Sequence, residues 1–276
     1  MNPEDLYVSV DGEDKVKIGV FLLPAEDFSL TQFLLNELGT SWLHPGGMQS
    51  TIKMLERLKI QPGMRVLDLG CGVGSATRLL AKKYNCDVVG LDNDFSMIEK
   101  AKQSTPDNLN EHISFQQGDG EKMSFSDDEF DLVIVQSVAC FNNKEIILKE
   151  ILRVLKPGGK VGLNEVTWLK PPTEKVKKVT CATICETFNG ALTKEEWEGN
   201  LEQANLTNIT SDIEVFEAVS PFQLLREEGF FKTLKITARV LFKADINTRI
   251  NAVSSYLKNY NGFFGYGIYI GQKPLR

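Results

Sequence analysis

The stretch Val66-Leu67-Asp68-Leu69-Gly70-Cys71-Gly72-Val73-Gly74 decides the predicted fold. It begins as a short apolar strand and ends in three closely spaced glycines, and a helical pattern through Ala76, Leu79 and Leu80 follows at once. Glycines at such a junction let the backbone pass close to a ligand and leave the first N–H groups of the helix free to bind it. The stretch therefore predicts a ligand-binding turn at the carboxyl end of a strand.

Further apolar strands alternate with helical segments on the carboxyl side of this turn. The predicted strands are 87–92, 112–116, 130–135 and 160–166, and the predicted helices are 96–102 and 144–155. Such alternation indicates an α/β fold with a Rossmann-like, doubly wound, mostly parallel sheet and helices on both faces. Sheets of this kind bind ligands beyond the carboxyl ends of their strands, where the strand order reverses.

The pattern also suggests how the chain is divided. We expect a helical N-terminal cap over residues 1–60, the Rossmann-like core over 61–170, and the end of the sheet over 171–276. Within the last part, a helical insertion near the C-terminus covers about 221–260 and is the candidate lid or acceptor segment.

Composition excludes several classes of protein. The 276 residues carry 31 Lys and Arg against 37 Asp and Glu, a net charge of −6, whereas nucleic-acid binders usually carry a basic excess. Five scattered cysteines do not form a disulfide framework, and no early segment has the pattern of a secretory signal or an integral membrane span. We expect a cytoplasmic protein with a small-molecule partner, and the sequence leaves its oligomeric state open.

The spacing of the glycines indicates which class of ligand the turn can bind. A dinucleotide fingerprint requires its third glycine at position 75, which is Ser75, and the P-loop lysine is missing from the turn. Asp68, two residues before the first glycine, would repel a pyrophosphate but suits an ammonium group. The turn therefore favours a cationic ligand over a phosphate.

Two further acidic residues follow neighbouring strands. Asp92 stands 18 residues after Gly74, close to the spacing of about 20 expected for a carboxylate that binds ribose hydroxyls. Asp119, followed by Gly120, comes after the next strand, where a carboxylate can accept from an adenine amine. Together these residues predict a pocket for an adenosine that carries an amino-acid tail and no phosphate.

Over roughly residues 44–170 the sequence resembles the class I S-adenosylmethionine-dependent methyltransferases, most closely the branch of quinone, sterol and small-amine methyltransferases. The motifs that carry the resemblance are Val66 to Gly74, Asp92-Asn93 with Met97-Ile98, Asp119 to Phe125, Phe130 to Val133, and Leu152 to Lys160. One departure is Gly120, where the family more often has alanine.

The resemblance implies S-adenosyl-L-methionine as cofactor and assigns roles to residues at the matching positions. Asp68 and the glycine turn would hold the methionine part, Asp92 the ribose, and Asp119 with the Gly120 backbone the adenine edge. The implied cofactor-binding residues are Asp68, Gly70, Cys71, Gly72, Gly74, Asp92, Asn93, Met97, Asp119, Gly120, Gln136 and Ser137. The His44-Pro45-Gly46-Gly47 loop recurs in this branch and tends to close over the cofactor.

The expected activity is transfer of a methyl group to a small molecule by in-line displacement at the sulfonium methyl. The catalytic residues are not assigned by the sequence, although His44 and Glu165 are candidates, and no metal site is expected. Three alternatives stay open: arsenite methylation through Cys140, Cys181 and Cys185, a nucleotide-dependent oxidoreductase, and a non-catalytic cofactor-binding protein.

Overall fold

The structure is a computed structural model in which the chain divides into two compact units, each discontinuous in sequence. The described residues are 7–10, 14–17, 33–177, 180, 190–215, 221–260 and 262–275. The larger unit comprises residues 44–169, 191–214 and 265–276, and the smaller comprises 1–43, 170–190 and 215–264.

The regular elements are numbered in chain order. The strands are β1 (Tyr7–Val10), β2 (Asp14–Lys17), β3 (Arg65–Leu69), β4 (Asp87–Asp92), β5 (Ile113–Gln117), β6 (Phe130–Gln136), β7 (Leu155–Trp168), β8 (Leu192–Thr193), β9 (Thr207–Val215) and β10 (Phe264–Gln272). The α-helices are α1 (Gly47–Leu58), α2 (Ser75–Tyr84), α3 (Phe95–Gln103), α4 (Lys144–Val154), α5 (Lys194–Gln203), α6 (Pro221–Glu228), α7 (Phe230–Phe242) and α8 (Ala244–Tyr260). Short turns of other helix types lie at Phe33–Leu38 (a π-helix), Asp107–Leu109 and Ala139–Phe141.

The large sheet has the strand order β5-β4-β3-β6-β7-β10-β9, with β8 paired to β7. The pairs β3–β4, β4–β5, β3–β6 and β6–β7 are parallel. The chain moves outward from β3 to β5 and then returns to the other side of β3 with β6, so the order reverses between β3 and β6. The predicted doubly wound, mostly parallel sheet is confirmed.

The central strands are buried on both faces, as their continuous apolar sequences predict. Leu67 of β3 and Val133 of β6 have no exposed surface. Helix α1 packs Met54 and Leu58 against β7, where a side chain on Gly162 would collide with both of them. The sheet and its covering helices therefore form a rigid support for the turns at the carboxyl ends of the strands.

The smaller unit has its own apolar core and contains the predicted helical insertion, which forms α6, α7 and α8. Its core cluster is made of Phe33, Leu38, Ile236 and Ile246. Strands β1 and β2 pair as an antiparallel hairpin, which the helical pattern of residues 1–60 did not predict.

The other differences concern element boundaries. Strand β7 begins at Leu155 instead of residue 160, because Leu155 pairs with Phe130 before a shift of register leads to the pairing of Lys160 with Leu132. Among the helices that the structure describes, none combines the length and the apolar character needed to cross a bilayer.

Candidate active site

The glycine turn joins the end of β3 to the start of α2 and has a left-handed backbone at all three glycines. The amides of Gly70 and Cys71 donate to the carbonyl oxygen of Leu91, at 2.7 and 3.0 Å, which ties the turn to β4. A Cβ on Gly70 would lie 2.1 Å from Cγ2 of Val138, whereas a Cβ on Gly72 would meet no described atom within 4 Å. The backbone of Gly72 thus borders open space, as a ligand-binding turn requires.

Asp68 is the most buried acid of this turn, with 2% of its surface exposed. Its Oδ2 accepts a hydrogen bond of 2.6 Å from the hydroxyl of Thr77 in α2. Burial raises the pKa of the Asp68 carboxyl to about 6, and the hydrogen bond from Thr77 offsets part of the rise. An adjacent cation would stabilise the ionised form, so the site favours a positively charged ligand group.

Asp92 ends β4 beside the glycine turn and is partly exposed. Its Oδ2 accepts from the Gly72 amide at 2.8 Å, and its Oδ1 accepts from the Asp94 amide at 2.9 Å. Burial raises the pKa of Asp92, although these backbone bonds act in the opposite direction. Each oxygen of a carboxylate can accept more than one hydrogen bond, so Asp92 can still receive ligand hydroxyls.

The residues that follow Asp92 continue around the same edge. Asn93 accepts from the Gln117 side chain through its carbonyl oxygen, and Met97 is buried at the first turn of α3. Gln117 ends β5 and pairs in register with Asp92. The ends of β4 and β5 are therefore neighbours, as the sequence predicted.

Asp119 and Gly120 lie just beyond β5. Asp119 is exposed, and its Oδ1 accepts from the Glu121 amide at 2.9 Å, which closes a tight turn. A Cβ on Gly120 would lie 3.1 Å from Cδ1 of Leu69, a tighter contact than side chains usually make. The size of Leu69 therefore explains glycine at a position where the family more often has alanine.

Gln136 and Ser137 lie at the carboxyl end of β6, next to β3 in the sheet. Ser137 adopts a left-handed backbone with φ of 54°, which non-glycine residues rarely do. Its amide donates to the carbonyl oxygen of Asn164 at 2.8 Å. Its buried hydroxyl has no hydrogen-bond partner within the described part of the chain. A buried hydroxyl without a partner is costly, and a polar group of a ligand would satisfy it.

His44 occupies the centre of a hydrogen-bonded network rather than a solvent-facing position. The Thr51 hydroxyl donates to Oε1 of Gln136 at 2.7 Å and lies 3.1 Å from Nε2 of His44. The amide of Asn164 lies 3.0 Å from Nδ1. Nδ1 also lies 3.2 Å from the carbonyl oxygen of Pro45, so which ring nitrogen donates depends on the tautomer. Burial lowers the pKa of His44 to about 4, so the ring is neutral near pH 7.

Glu165 is fully buried in β7. Its carboxylate accepts from the amides of Val138, Ala139 and Cys140 at 3.0, 2.9 and 3.2 Å. Burial raises the pKa of Glu165, and the three amide bonds lower it. Because Val138 packs against Gly70, Glu165 fixes a loop that in turn shapes the glycine turn. This geometry favours a positioning role.

The three cysteines that the structure describes, Cys71, Cys86 and Cys140, are buried. Burial raises the pKa of the Cys71 thiol and of the Cys140 thiol, so both stay protonated near pH 7. Cys181 and Cys185 lie outside the described residues. Within the described part of the chain, no group of three or more His, Cys, Asp and Glu residues is arranged to hold a metal ion.

Two site residues, Thr51 and Thr77, were not predicted from the sequence. Both are fully buried polar residues on the packed faces of helices α1 and α2. Thr51 precedes Met54 by three positions, and Thr77 precedes Leu80 by the same interval. A hydroxyl residue in phase with the apolar positions of a helix is the signal that identifies them.

Comparison with known proteins agrees with this geometry. Residues 60–209 match the model of a methyltransferase domain family. The sterol 24-C-methyltransferase erg6 of Aspergillus fumigatus is 40% identical over 118 residues, which cover 42% of this chain and 31% of that protein. An uncharacterised protein of Haemophilus influenzae is 29% identical over 210 residues, covering 73% of this chain and 82% of that one.

The phosphoethanolamine N-methyltransferase 2 of Haemonchus contortus, solved with phosphomonomethylethanolamine and S-adenosylhomocysteine, shares the fold. It has a TM-score of 0.68 at 20% identity, covering 87% of this chain and 56% of that one. The match to the fungal sterol enzyme spans about a third of that protein's length, so its acceptor does not transfer to this chain. On the family match and the fold, the chain belongs to the class I S-adenosylmethionine-dependent methyltransferases.

Proposed function

We propose that this chain transfers the methyl group of S-adenosylmethionine to a small-molecule acceptor by in-line displacement. The observation that carries the proposal is the row of acids at the carboxyl edge of the sheet, where Asp68 lies near the end of β3, Asp92 ends β4 and Asp119 follows β5. Asp68 and Asp92 adjoin a glycine turn whose backbone borders open space at Gly72. A cationic nucleoside fits this arrangement better than a dinucleotide does.

The residues present fit the cofactor on three counts. The raised pKa of Asp68 marks a carboxyl that gains from a neighbouring ammonium group. Asp92 retains acceptor capacity for ribose hydroxyls beside the turn. The hydroxyl of Ser137 has no hydrogen-bond partner among the described residues, and a polar group of the cofactor would supply one. The remaining cofactor-binding assignments, Asn93, Met97, Gly120 and Gln136 among them, belong to this proposal.

When bound, S-adenosylmethionine supplies a methyl group already activated by a positive sulfur. The protein then has to hold the reactants in line and exclude water. The Glu165 carboxylate holds the loop from Val138 to Cys140, and Val138 presses on the turn at Gly70. The neutral His44 ring holds Thr51 against Gln136. We assign both candidates a positioning role, with no proton transfer required of either.

The acceptor belongs to the finer part of the proposal. We expect residues of about 171–260 to form the acceptor pocket and its lid, because the sequence motifs that carry the resemblance end at about residue 170. Exchange of the segment with that of a relative should change the acceptor that is methylated. An unchanged acceptor would contradict the assignment. A cytoplasmic location also stays a prediction, based on the scattered cysteines.

Calorimetry with S-adenosylhomocysteine and NAD tests the cofactor. We expect binding of S-adenosylhomocysteine only, and a loss of at least about tenfold in affinity in Asp92→Ala, since hydrogen bonds to a charged group contribute about 1.5–3 kcal/mol. The matched control is Asp107→Ala, which removes an exposed carboxylate from a short helical turn. Binding of NAD alone, or of neither compound, would refute the proposal.

Labelled S-adenosylmethionine incubated with the protein and a metabolite extract tests catalysis. Transfer of label to a small molecule is the expected result, and binding without transfer would favour a non-catalytic protein. The arsenite alternative requires its cysteines, so replacement of Cys140, Cys181 and Cys185 by serine would abolish that activity and leave methylation of an organic acceptor intact.

A further inference from the structure

The exposed face of helix α7 carries a stripe of large apolar side chains. At about 100° per residue, five of them fall within an arc of roughly 120° centred opposite the buried Ile236. This set, called here the aromatic stripe, consists of Phe230, Phe231, Leu234, Leu241 and Phe242. Their exposed fractions range from 58% to 84%, which is exceptional for residues of this size.

The opposite face of α7 packs into the core of the smaller unit and explains why the helix forms, but it does not explain the exposed stripe. Ile236, with 4% of its surface exposed, belongs to the core of the smaller unit, and Val240 packs against the same cluster. The helix is therefore already anchored on one side. Seven large apolar side chains remain exposed in α6 and α7 together, since Phe222 and Leu225 of α6 add to the stripe. A contiguous apolar surface of this kind marks an interaction site.

The charges around the stripe identify the partner. Residues 229–243 contain four cations and no acid, although the whole chain has a net charge of −6. Lys235 borders the stripe on the helix surface, and Lys243 follows its last turn, both exposed. Two other cations, Lys232 and Arg239, are engaged with Glu228 and with backbone carbonyls. Lys235 is thus placed to meet a negatively charged surface beside the stripe, and Lys243 adds an exposed positive charge at the end of the helix.

We propose that the aromatic stripe and its bordering lysines bind the surface of an anionic lipid bilayer, with α7 lying in the plane of the interface. Helices that bind in this way combine Phe and Leu on one face with Lys and Arg at its border. The lysine stems can extend along the apolar boundary while the ammonium groups reach lipid phosphates.

Other occupants fit the same face less well. A second copy of the chain would bring identical basic borders together across a two-fold axis, and like charges oppose such a contact. A stable protein interface usually needs about 20–30 residues on each side, more than one helix of 13 residues provides. Interfacial insertion needs only a single helix face.

Flotation of the full chain with lipid vesicles tests the proposal. Vesicles of phosphatidylcholine with about 30% phosphatidylserine should carry the protein, whereas phosphatidylcholine alone should not. Phe231→Ser with Phe242→Ser should weaken binding by at least about tenfold, and Lys235→Glu with Lys243→Glu should do the same. Added salt should weaken the binding further.

Matched controls separate the stripe from general exposure and charge. Leu275→Ser removes an apolar side chain that is 79% exposed, and Lys82→Glu with Lys102→Glu changes the net charge by the same amount. Both control variants should float like the parent chain. Equal loss of flotation in the controls and in the stripe variants would overturn the proposal, as would equal binding to neutral vesicles.

A tryptophan placed by Phe231→Trp distinguishes the remaining occupants. The chain already has three tryptophans, of which Trp168 and Trp197 are buried, so the emission of the parent chain is subtracted. The difference emission should shift to shorter wavelength only when anionic vesicles are added. A blue-shifted emission before that addition would mean that protein already covers the stripe, and a dimer in sedimentation that Phe231→Ser dissolves would identify a second copy. Binding to RNA but not to vesicles would assign the basic border to nucleic acid. Each of these three results would overturn the proposal, and none depends on methyl transfer.

Discussion

The carboxyl edge of the sheet buries polar side chains, whereas the exposed face of α7 leaves apolar side chains in solvent. At the sheet edge, the polar groups of Asp68, Glu165 and Thr77 are withdrawn from water and are held by named hydrogen bonds. On α7, phenylalanine side chains stand in solvent. The first arrangement costs desolvation free energy that internal hydrogen bonds offset, whereas the second forgoes apolar burial, so the stripe on α7 indicates a surface that the isolated chain lacks.

The largest effect should come from Glu165. Glu165→Ala leaves the buried amides of Val138, Ala139 and Cys140 without their acceptor, and we expect a loss of about 3–5 kcal/mol in the free energy of unfolding. Urea denaturation measures it. Glu145→Ala, which removes an exposed carboxylate on α4, should unfold like the parent chain. A small loss in Glu165→Ala would mean that the loop is supported by other contacts.

Two glycines with a left-handed backbone distinguish the cost of backbone strain from the cost of a steric clash. Gly70→Ala should lose about 3 kcal/mol in unfolding free energy, because the new methyl group meets Val138 and the backbone is left-handed. Gly63→Ala has an equally left-handed backbone but open space, so we expect a loss of about 1 kcal/mol. Equal losses in the two variants would show that Val138 moves aside freely.

Protonation of Asp68 should control ligand affinity. The pKa of about 6 in the free chain falls when an ammonium group binds, so binding of S-adenosylhomocysteine releases a proton below that pH. Affinity should be constant above about pH 7 and fall by up to about tenfold per unit below pH 6. Calorimetry across this range tests the expectation. Asp68→Asn should bind weakly with little pH dependence, and a flat profile in the parent chain would contradict the assignment.

Loss of the Thr51 hydroxyl should have a smaller effect. Thr51→Val keeps the shape of the side chain but removes the hydroxyl that contacts Nε2 of His44 and donates to Oε1 of Gln136. We expect a loss of about 1–2 kcal/mol in the free energy of unfolding. Thr51→Ser retains the hydroxyl and should restore most of that stability. Should serine fail as completely as valine, the methyl group and not the network would account for the loss.

The smallest effect is expected on α7. Phe231→Ser should change the unfolding free energy by no more than about 0.5 kcal/mol, because the side chain is 79% exposed. Ile236→Ala, on the opposite face of the same helix, should lose about 2–4 kcal/mol. Thermal unfolding compares the two. A large loss of unfolding free energy in Phe231→Ser would show that the stripe belongs to the hydrophobic core. It would contradict the assignment of the stripe as a docking surface.

The sequence predicted the parts of the molecule that depend on local pattern. Strands β3 to β6 followed from continuous apolar runs, and their parallel order put Asp68, Asp92 and Asp119 at one edge. Partners across the sheet were not predictable, because nothing in the sequence pairs Glu165 with the amides of Val138 to Cys140. The hairpin of β1 and β2 was missed, since its short segments lack long apolar runs.

The helices show the same difference between local pattern, which the sequence predicts, and tertiary contacts, which it does not. Helix α1 was predicted from Met54 and Leu58, but Thr51 was overlooked because single threonines are common on helix surfaces. The neutral state of His44 likewise results from burial of its ring, whose contacts include Asn164, 120 residues away in the chain. Periodicity identifies a helix and its buried face, whereas the partners on that face depend on tertiary contacts.

The bond between the Gly72 amide and the Asp92 carboxylate has a consequence for how this site is dissected. The same side chain borders the pocket and braces the glycine turn, so removing it alters two things at once. The affinity lost in an Asp92 variant is therefore a coupled quantity, shared between a contact with the ligand and the preorganisation of the loop. Because the donor is a backbone amide that no side-chain substitution at Gly72 removes, a comparison of Asp92→Asn, which keeps one acceptor oxygen, with Asp92→Ala would separate the two contributions.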